Sequence, residues 1–384
     1  MQGDLTHDDI KNGLGSLGLH PILQKYVYLE LNICNKDLID ISLIKNFPQL
    51  MYINLSNNKI KNINNILDKL SYLTQLDLSN NDLDGNCLDF MPLKCSSHNN
   101  NNNYENLNKY NNIGSILTSC NLNNNNITSI ENLDERHPYL EFLLLSKNQL
   151  NNINIGLNSL SFLKVLDLSY NKISEIPIEG SINNLPLLEL NLEGNLLEDI
   201  TSLGKLKKLS TLNCSNNLIK NIQALNECTN LTYLDVRNNK INIIRHVEIF
   251  IDNNFLQTIK FEGNPASVKP FYRERLIYRL PKLIKLDSIT ISSNERIRCQ
   301  NLYNTNNGDI FLRKNVFNEI FPNEEFIDRT SYANFKDEED ELTMNEINTG
   351  EMKYSFLPED KQNREVYKFS TNLINNVIDN IATT

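Results

Sequence analysis

The chain has 384 residues, of which 40% are hydrophobic, and no apolar run long enough to span a membrane, so it can bury a sizeable core in water. Its formal net charge is −10, and the C-terminal end holds most of it: residues 300–384 carry 16 acidic and 8 basic side chains, a net of −8, which leaves −2 for residues 1–299. Neither part offers the basic footprint that a nucleic-acid backbone requires, and Met1-Gln-Gly-Asp-Leu-Thr does not open a secretory signal.

Residues 1–27 read as a capping segment. Thr6-His-Asp-Asp9 has the form of a helix N-terminus with acidic residues in its first turn. Ile10, Leu14 and Leu17 then fall on one helical face, although Gly13, Gly15 and Gly18 weaken the helix. Tyr28-Leu-Glu-Leu31 reads as an edge strand, and Asp37-Leu-Ile-Asp-Ile41 as the irregular turn that follows it.

From Leu50 to Asn264 one phrase recurs. Its clearest copy is Leu163-Lys-Val-Leu166-Asp-Leu168-Ser-Tyr-Asn171-Lys-Ile173-Ser-Glu-Ile176, with the skeleton L-x-x-L-x-L-x-x-N-x-I-x-x-I. In Leu166-Asp-Leu168 the two leucines point to one side of a short strand. Leu163, Ile173 and Ile176 turn inward at the corners of a coil. The Asn recurs at Asn58, Asn81, Asn125, Asn148, Asn171, Asn195, Asn217, Asn239 and Asn264, at spacings of 23, 44, 23, 23, 24, 22, 22 and 25. Its amide serves backbone groups that would otherwise be buried without partners. One such coil cannot bury its apolar face, and a stack of them can. So short a period leaves room only for short helical or 3₁₀ turns on the side opposite the strands.

Residues 84–112 break the period and include His98-Asn-Asn-Asn-Asn-Asn103. The 44-residue gap nearly equals two periods, so a degenerate coil is conceivable. A looped-out low-complexity insert fits better, because so polar a run cannot offset its ordering entropy. Residues 264–290 close the far end: Asn264-Pro265, a helical stretch with Tyr272 and Leu276, then Leu280-Pro-Lys-Leu283-Ile-Lys-Leu286-Asp287. Residues 291–384 form an acidic, partly disordered tail. Its segment 360–382 is an amphipathic helix in which Val366, Phe369, Leu373, Val377 and Ile381 step by three or four. That helix either folds back on the stack or docks on a partner.

The five histidines, His7, His20, His98, His137 and His246, stand at no metal-ligand spacing, and no nucleophile motif or phosphate-cradling glycine loop occurs. The expectation is therefore a chain with no catalytic residues, metal or cofactor, and no enzymatic activity. Of the seven cysteines, Cys120 and Cys214 take inward repeat positions in place of Leu and read as small apolar core residues in a reducing, intracellular setting.

The surface is what remains. In the strand of each coil the x residues face the concave side and stack into columns. Most of this face is polar filler such as Asp167 and Ser169. Phe142, Leu144 and Val165 depart from it as an apolar spot, the mark of a partner-docking site. With Glu189, Tyr233 and Asp235 they are the expected partner-binding residues.

The repeats identify the chain with the leucine-rich repeat proteins: an α/β solenoid of about nine to ten coils of 22–25 residues, a parallel sheet on its concave face, a helical N-cap and a leucine-rich repeat C-cap. It resembles the intracellular, Sds22-like branch with 22-residue coils, and is most similar to the members of that branch in the ciliary radial spoke. The stretches that carry the likeness are Ile10-Lys-Asn-Gly-Leu14, Tyr28-Leu-Glu-Leu31, Asp37-Leu-Ile-Asp-Ile-Ser-Leu-Ile44, His137-Pro-Tyr-Leu140, Asn264-Pro-Ala, Tyr272-Arg and Leu280-Pro-Lys-Leu283. The resemblance implies a non-enzymatic scaffold in the flagellar axoneme, bound to other radial-spoke components, with neither nucleic acid nor membrane as partner. The alternative it implies is a regulatory subunit that holds the catalytic subunit of protein phosphatase 1. Against that alternative, the chain has no Trp and no R/K-x-V-x-F string; Arg364-Glu-Val-Tyr-Lys-Phe369 misplaces the Phe.

Overall fold

The computed structural model describes residues 3–63, 66–85, 116–130, 137–153, 157, 160–177, 185–269 and 271–303, together with Lys314 and Asn318. The asparagine-rich run and the C-terminal helix expected over 360–382 lie outside them.

The phrase folds as a coil. Its central three residues form a strand and its leucines turn inward. The strands are β2 (Tyr26–Asn32), β3 (Tyr52–Asn54), β4 (Gln75–Asp77), β6 (Ser119–Asn121), β8 (Phe142–Leu144), β9 (Val165–Asp167), β10 (Glu189–Asn191), β11 (Thr211–Asn213), β12 (Tyr233–Asp235), β13 (Thr258–Lys260) and β14 (Lys285–Leu286). They pair in parallel, each with its neighbour in this order. The register never slips: Val165, Leu166 and Asp167 stand opposite Glu189, Leu190 and Asn191, and the same three positions pair from β3 to β13. The leucines and isoleucines of every coil form one continuous core, in which Cys120 and Cys214 are also buried. Short 3₁₀ turns such as Ser42–Asn46, Thr201–Lys205 and Gln223–Glu227 return the chain to the next strand.

The repeated Asn ties each coil to the one before it. Asn171 donates from Nδ2 to the carbonyls of Leu145 (2.9 Å) and Leu168 (3.0 Å), while its Oδ1 accepts the N–H of Leu150 at 3.1 Å. Asn58, Asn81, Asn125, Asn148, Asn195, Asn217, Asn239 and Asn264 repeat this pattern, and all nine are buried. The ladder also runs across the long gap, where Asn125 bonds to Leu78 and Leu83. There β4 pairs directly with β6. Asp84–Gly85, which the sequence puts in the insert, instead form β5, paired with β7 (Asn126–Ile127). They belong to the coil because they run parallel beside Asn126–Ile127 of the next one.

Both ends differ from the sequence-based expectation. The N-cap is not one helix. Helix α1 spans only His7–Gly13, closed by a Thr6–Asp9 capping box, and the chain then extends into β1 (Leu14–Leu19), antiparallel to β2. Ile10 is buried in the core, while Leu17 is exposed on the strand rather than on a helical face. The glycines at 13, 15 and 18 explain the change: they disfavour a longer helix, and the backbone of Asn32 and side chain of Ile33 approach Gly13 too closely for any Cβ. The strand that follows therefore starts at Tyr26, not Tyr28, and is no edge. His20 closes the hairpin. Its Nδ1 accepts the N–H groups of Ile22 (3.2 Å) and Leu23 (3.1 Å), and its ring meets Tyr72 edge-on.

At the far end, α2 (Tyr272–Arg279) and β14 follow the expected cap. The cap continues past residue 290, however, through β15 (Ile289–Thr290) and α3 (Ser293–Tyr303). Arg273 joins α2 to Glu295 of α3 at 2.7 Å, and Cys299 is buried beneath. The acidic tail thus starts later than its composition suggests.

Two predictions follow from these bonds. Asn171→Leu strands the N–H of Leu150 in the core, at about 1–3 kcal/mol, and leaves the carbonyls of Leu145 and Leu168 with one donor each, from Asn148 and Asn195, so its thermal midpoint should fall below the parent's; equal midpoints would refute the role of the ladder. Burial holds the His20 pKa below its usual value. A ring kept neutral in the folded state contributes stability that is full above the unfolded pKa of about 6.5 and is lost as the pH falls from there through the lowered folded-state value. His20→Asn keeps an acceptor but does not titrate, so its midpoint should drop less than the parent's between pH 7.5 and 5.5.

Candidate functional site

Strand alternation sends the first and third residues of each three-residue strand to the concave face. The first positions form one column, in which Phe142 stands opposite Val165 and Val165 opposite Glu189. Thr211 follows, then Tyr233. The third positions form a second column through Leu144, Asp167, Asn191, Asn213 and Asp235. The six expected partner-binding residues therefore share one face but make two groups, with β11 between them.

Two of the six are not available as expected. Leu144 is only 6% exposed. Strands about 4.8 Å apart set it directly between Asn121 and Asp167, so it packs between polar neighbours instead of forming part of a solvent-facing trio. Asp235 is 1% exposed. The Arg237 guanidinium grips both its oxygens, Nε to Oδ1 at 3.0 Å and Nη2 to Oδ2 at 2.8 Å, and Tyr233 donates its hydroxyl to Oδ2 at 3.3 Å. Lys260 lies 3.9 Å from the same carboxylate and 5.7 Å over the Tyr233 ring. Tyr233 and Asp235 are thus members of an internal ionic cluster.

Phe142, Val165 and Glu189 remain half-exposed in a row. Burial raises the pKa of Glu189, whose Oε2 has no hydrogen-bond partner. Three exposed apolar residues that the strand pattern did not single out precede the same strands in the chain. Tyr139 and Phe162, both exposed, bring their rings to 5.8 Å on the approach to β8 and β9, and Leu188 is exposed just before β10. Their signal was present in the sequence: Tyr139 and Phe162 each stand just before the leucine that opens a phrase, where Lys208 and Asn230 stand in later coils. Beyond the spot, Glu193 accepts from Tyr170 Oη (2.6 Å), Asn213 Nδ2 (3.0 Å) and Asn216 Nδ2 (3.1 Å), which fixes the rim of the face. Among the described residues no group of three His, Cys, Asp or Glu is placed to hold a metal ion. What the arrangement offers is an apolar, aromatic contact surface beside an underused carboxylate.

The asparagine ladder and the unbroken register agree with the comparisons to known proteins. Two leucine-rich repeat family models match, over residues 27–83 and 166–316, together just over half of the chain. The chain is a leucine-rich repeat protein. Among solved structures it is similar to an internalin, InlF, of Listeria monocytogenes, at 19% identity over 72% of this chain and 87% of that one, with a TM-score of 0.44. It is also similar to the plant peptide hormone receptor RGFR1 in its complex with RGF2, at 22% identity, 67% and 39% coverage and a TM-score of 0.49. A chain of the octameric complex of latrophilin 3, Unc5D and FLRT2 gives 18% identity, 67% and 74% coverage and a TM-score of 0.49. The leucine-rich repeat chain spans about two fifths of the plant receptor chain, and none of these likenesses bears on function. No curated protein matches the sequence.

Burial raises the pKa of Asp167 despite its bonds to Ser169. A folded-state pKa above the unfolded one favours the folded state while the carboxyl is protonated, and that contribution is lost as the pH rises through the carboxylate range. At the same position Asn54, Asn121, Asn191 and Asn213 accept the same backbone bond without a charge. Asp167→Asn should therefore raise the thermal midpoint at pH 7, and the gain should shrink on acidification to pH 4. A gain that is constant with pH would remove the buried charge as its cause.

Proposed function

We propose that this protein is a non-enzymatic scaffold that docks another protein on the centre of its concave face, and that this partner belongs to the radial spoke of the ciliary axoneme. The observation that carries the docking reading is the half-exposed row Phe142–Val165–Glu189 with the exposed Tyr139, Phe162 and Leu188 beside it. Solvent-facing aromatic and aliphatic side chains clustered on a polar solenoid are what interface cores are made of. The stack holds together through its leucines and asparagines, which leaves these side chains without a structural task.

The axonemal part of the proposal rests on the likeness of the N-terminal stretch, the coil order and the C-cap to the radial-spoke members of the family. On this reading the protein works in the cytoskeletal compartment of a flagellum, without nucleic acid or membrane as partner. The phosphatase reading is the rival outcome of the same experiment.

Burying a Phe or Val side chain contributes about 1.5–3 kcal/mol, roughly ten- to a hundredfold in affinity for each. The double variant Phe142→Glu, Val165→Glu should therefore lose at least tenfold of its captured partner in affinity purification from ciliated cells, with a thermal midpoint close to the parent's. Radial-spoke components in the parent's capture, depleted in the variant's, are the expected result. Capture of a phosphatase catalytic subunit would replace the axonemal reading with the rival one. Undiminished capture by the variant would move the docking site elsewhere on the surface.

A further inference from the structure

The first strand of the sheet is an open edge with an apolar face. β1 is the outermost of 13 strands and pairs on one side only, with β2. Gly18 stands opposite Val27, and the N–H of His20 donates to the carbonyl of Lys25 at 2.9 Å. The even-numbered residues therefore turn their backbone groups inward, and by alternation Leu17 and Leu19 turn theirs outward. Among the described residues nothing pairs with that side.

The strand also lacks what usually protects such an edge. Leu14-Gly-Ser-Leu-Gly-Leu19 has no charge and no proline. Leu17 opposite Tyr28 and Leu19 opposite Tyr26 form a four-membered apolar patch, all of it solvent-facing, with Leu17 63% and Tyr26 76% exposed. Glu30, two residues past Tyr28, stands opposite Tyr52 of the concave column, so the patch lies on the concave side of the sheet, at its N-terminal end. Ser16 has φ +50°, which breaks the extended backbone and leaves Leu17–Leu19 as the straight segment.

We propose that this edge pairs with a second copy of the same chain, antiparallel about a two-fold axis through Gly18. The choice of a copy rests on self-complementarity. In that register Leu17 faces Leu19 of the second copy, and the reverse holds on the other side of the axis. Four backbone hydrogen bonds close the edge. Eight exposed apolar side chains, Leu17, Leu19, Tyr26 and Tyr28 of each copy, meet on one face, where cross-strand apolar pairs are favourable. The kink at Ser16 ends the pairing after three residues and so fixes the register. An interface this small belongs with the weak ones, below about 1,200 Å², so the expected dissociation constant is on the order of micromolar. The surface is independent of the central spot around Phe142.

Sedimentation velocity of the full chain over a concentration series tests the proposal. The parent should pass from monomer to dimer through the micromolar range. The double variants Leu17→Lys, Leu19→Lys and Leu17→Glu, Leu19→Glu should each be monomeric, with the parent's thermal midpoint, because like charges then face each other across the axis. Mixed in equal amounts they should form a dimer again, since opposite charges meet in the proposed register. Leu19→Pro, which removes an outward N–H and leaves the β2 ladder whole, should be monomeric as well. A parent that stays monomeric throughout overturns the proposal, as do charged variants that still dimerise alone or a mixture that stays monomeric.

Discussion

The structure depends on a side chain that gives and takes at once. Each ladder Asn donates to two carbonyls and accepts an N–H, and one carbonyl and the N–H belong to the preceding coil. Asp could not donate, and Leu could do neither. Because the bonds reach backward, every coil is completed by its successor, and the stack needs a terminator. Asp287 supplies it. Its Oδ1 accepts the N–H groups of Phe261 (2.7 Å) and Glu262 (3.1 Å), and Tyr272 donates to its Oδ2 at 2.8 Å. In earlier coils the N–H equivalent to that of Phe261 goes to a carbonyl of the next strand, as Leu168 to Asn191 and Val236 to Lys260, so an acceptor suffices to replace the missing strand there.

A second constraint accompanies the first. The residue before each ladder Asn is left-handed: Asn57, Asn80, Asn124, Lys147, Tyr170, Gly194, Asn216, Asn238 and Gly263. Asn and Gly adopt this backbone readily, and other residues do so at a cost of about 1–2 kcal/mol. The two exceptions, Lys147 and Tyr170, fall in the adjacent coils that carry Phe142 and Val165. Those coils depart from the consensus on the face, on the flank at Tyr139 and Phe162, and at the turn. Three departures in the same two coils point to a demand that is not the fold's own.

The register of the coils was legible because seven positions recur in phase, and a period is a property of sequence alone. Side-chain exposure was less so. The alternation put Leu144 and Asp235 on the concave face, yet their burial depends on contacts the alternation does not encode: Asp167 one coil away beside Leu144, and around Asp235 both Arg237 of its own coil and Lys260 of the next. The ends were least legible, since neither has a repeat to follow. Gly13 and Gly18 signalled a weak helix but not the strand that replaces it. The role of Asp287 was hidden because its partners stand 25 and 26 residues earlier. The flank residues Tyr139 and Phe162 stand before the phrase, outside the strand alternation that marks the face.

The rigidity that the ladder imposes bears on what the face can do. Phe142 and Val165 sit in strands bonded on both sides, in coils fixed by buried amides, and Glu193 locks the adjacent rim through Tyr170, Asn213 and Asn216. Such side chains have little freedom to lose when a partner covers them, so the ordering cost of association falls on the partner. A rigid apolar surface of this kind favours an occupant that adapts to it. The N-terminal edge follows a different logic: Leu17 and Leu19 offer unpaired backbone as well as apolar surface, and only another extended strand satisfies both. The two surfaces thus select different kinds of occupant, and a chain bound to a second copy at β1 still has its central coils free for a different protein.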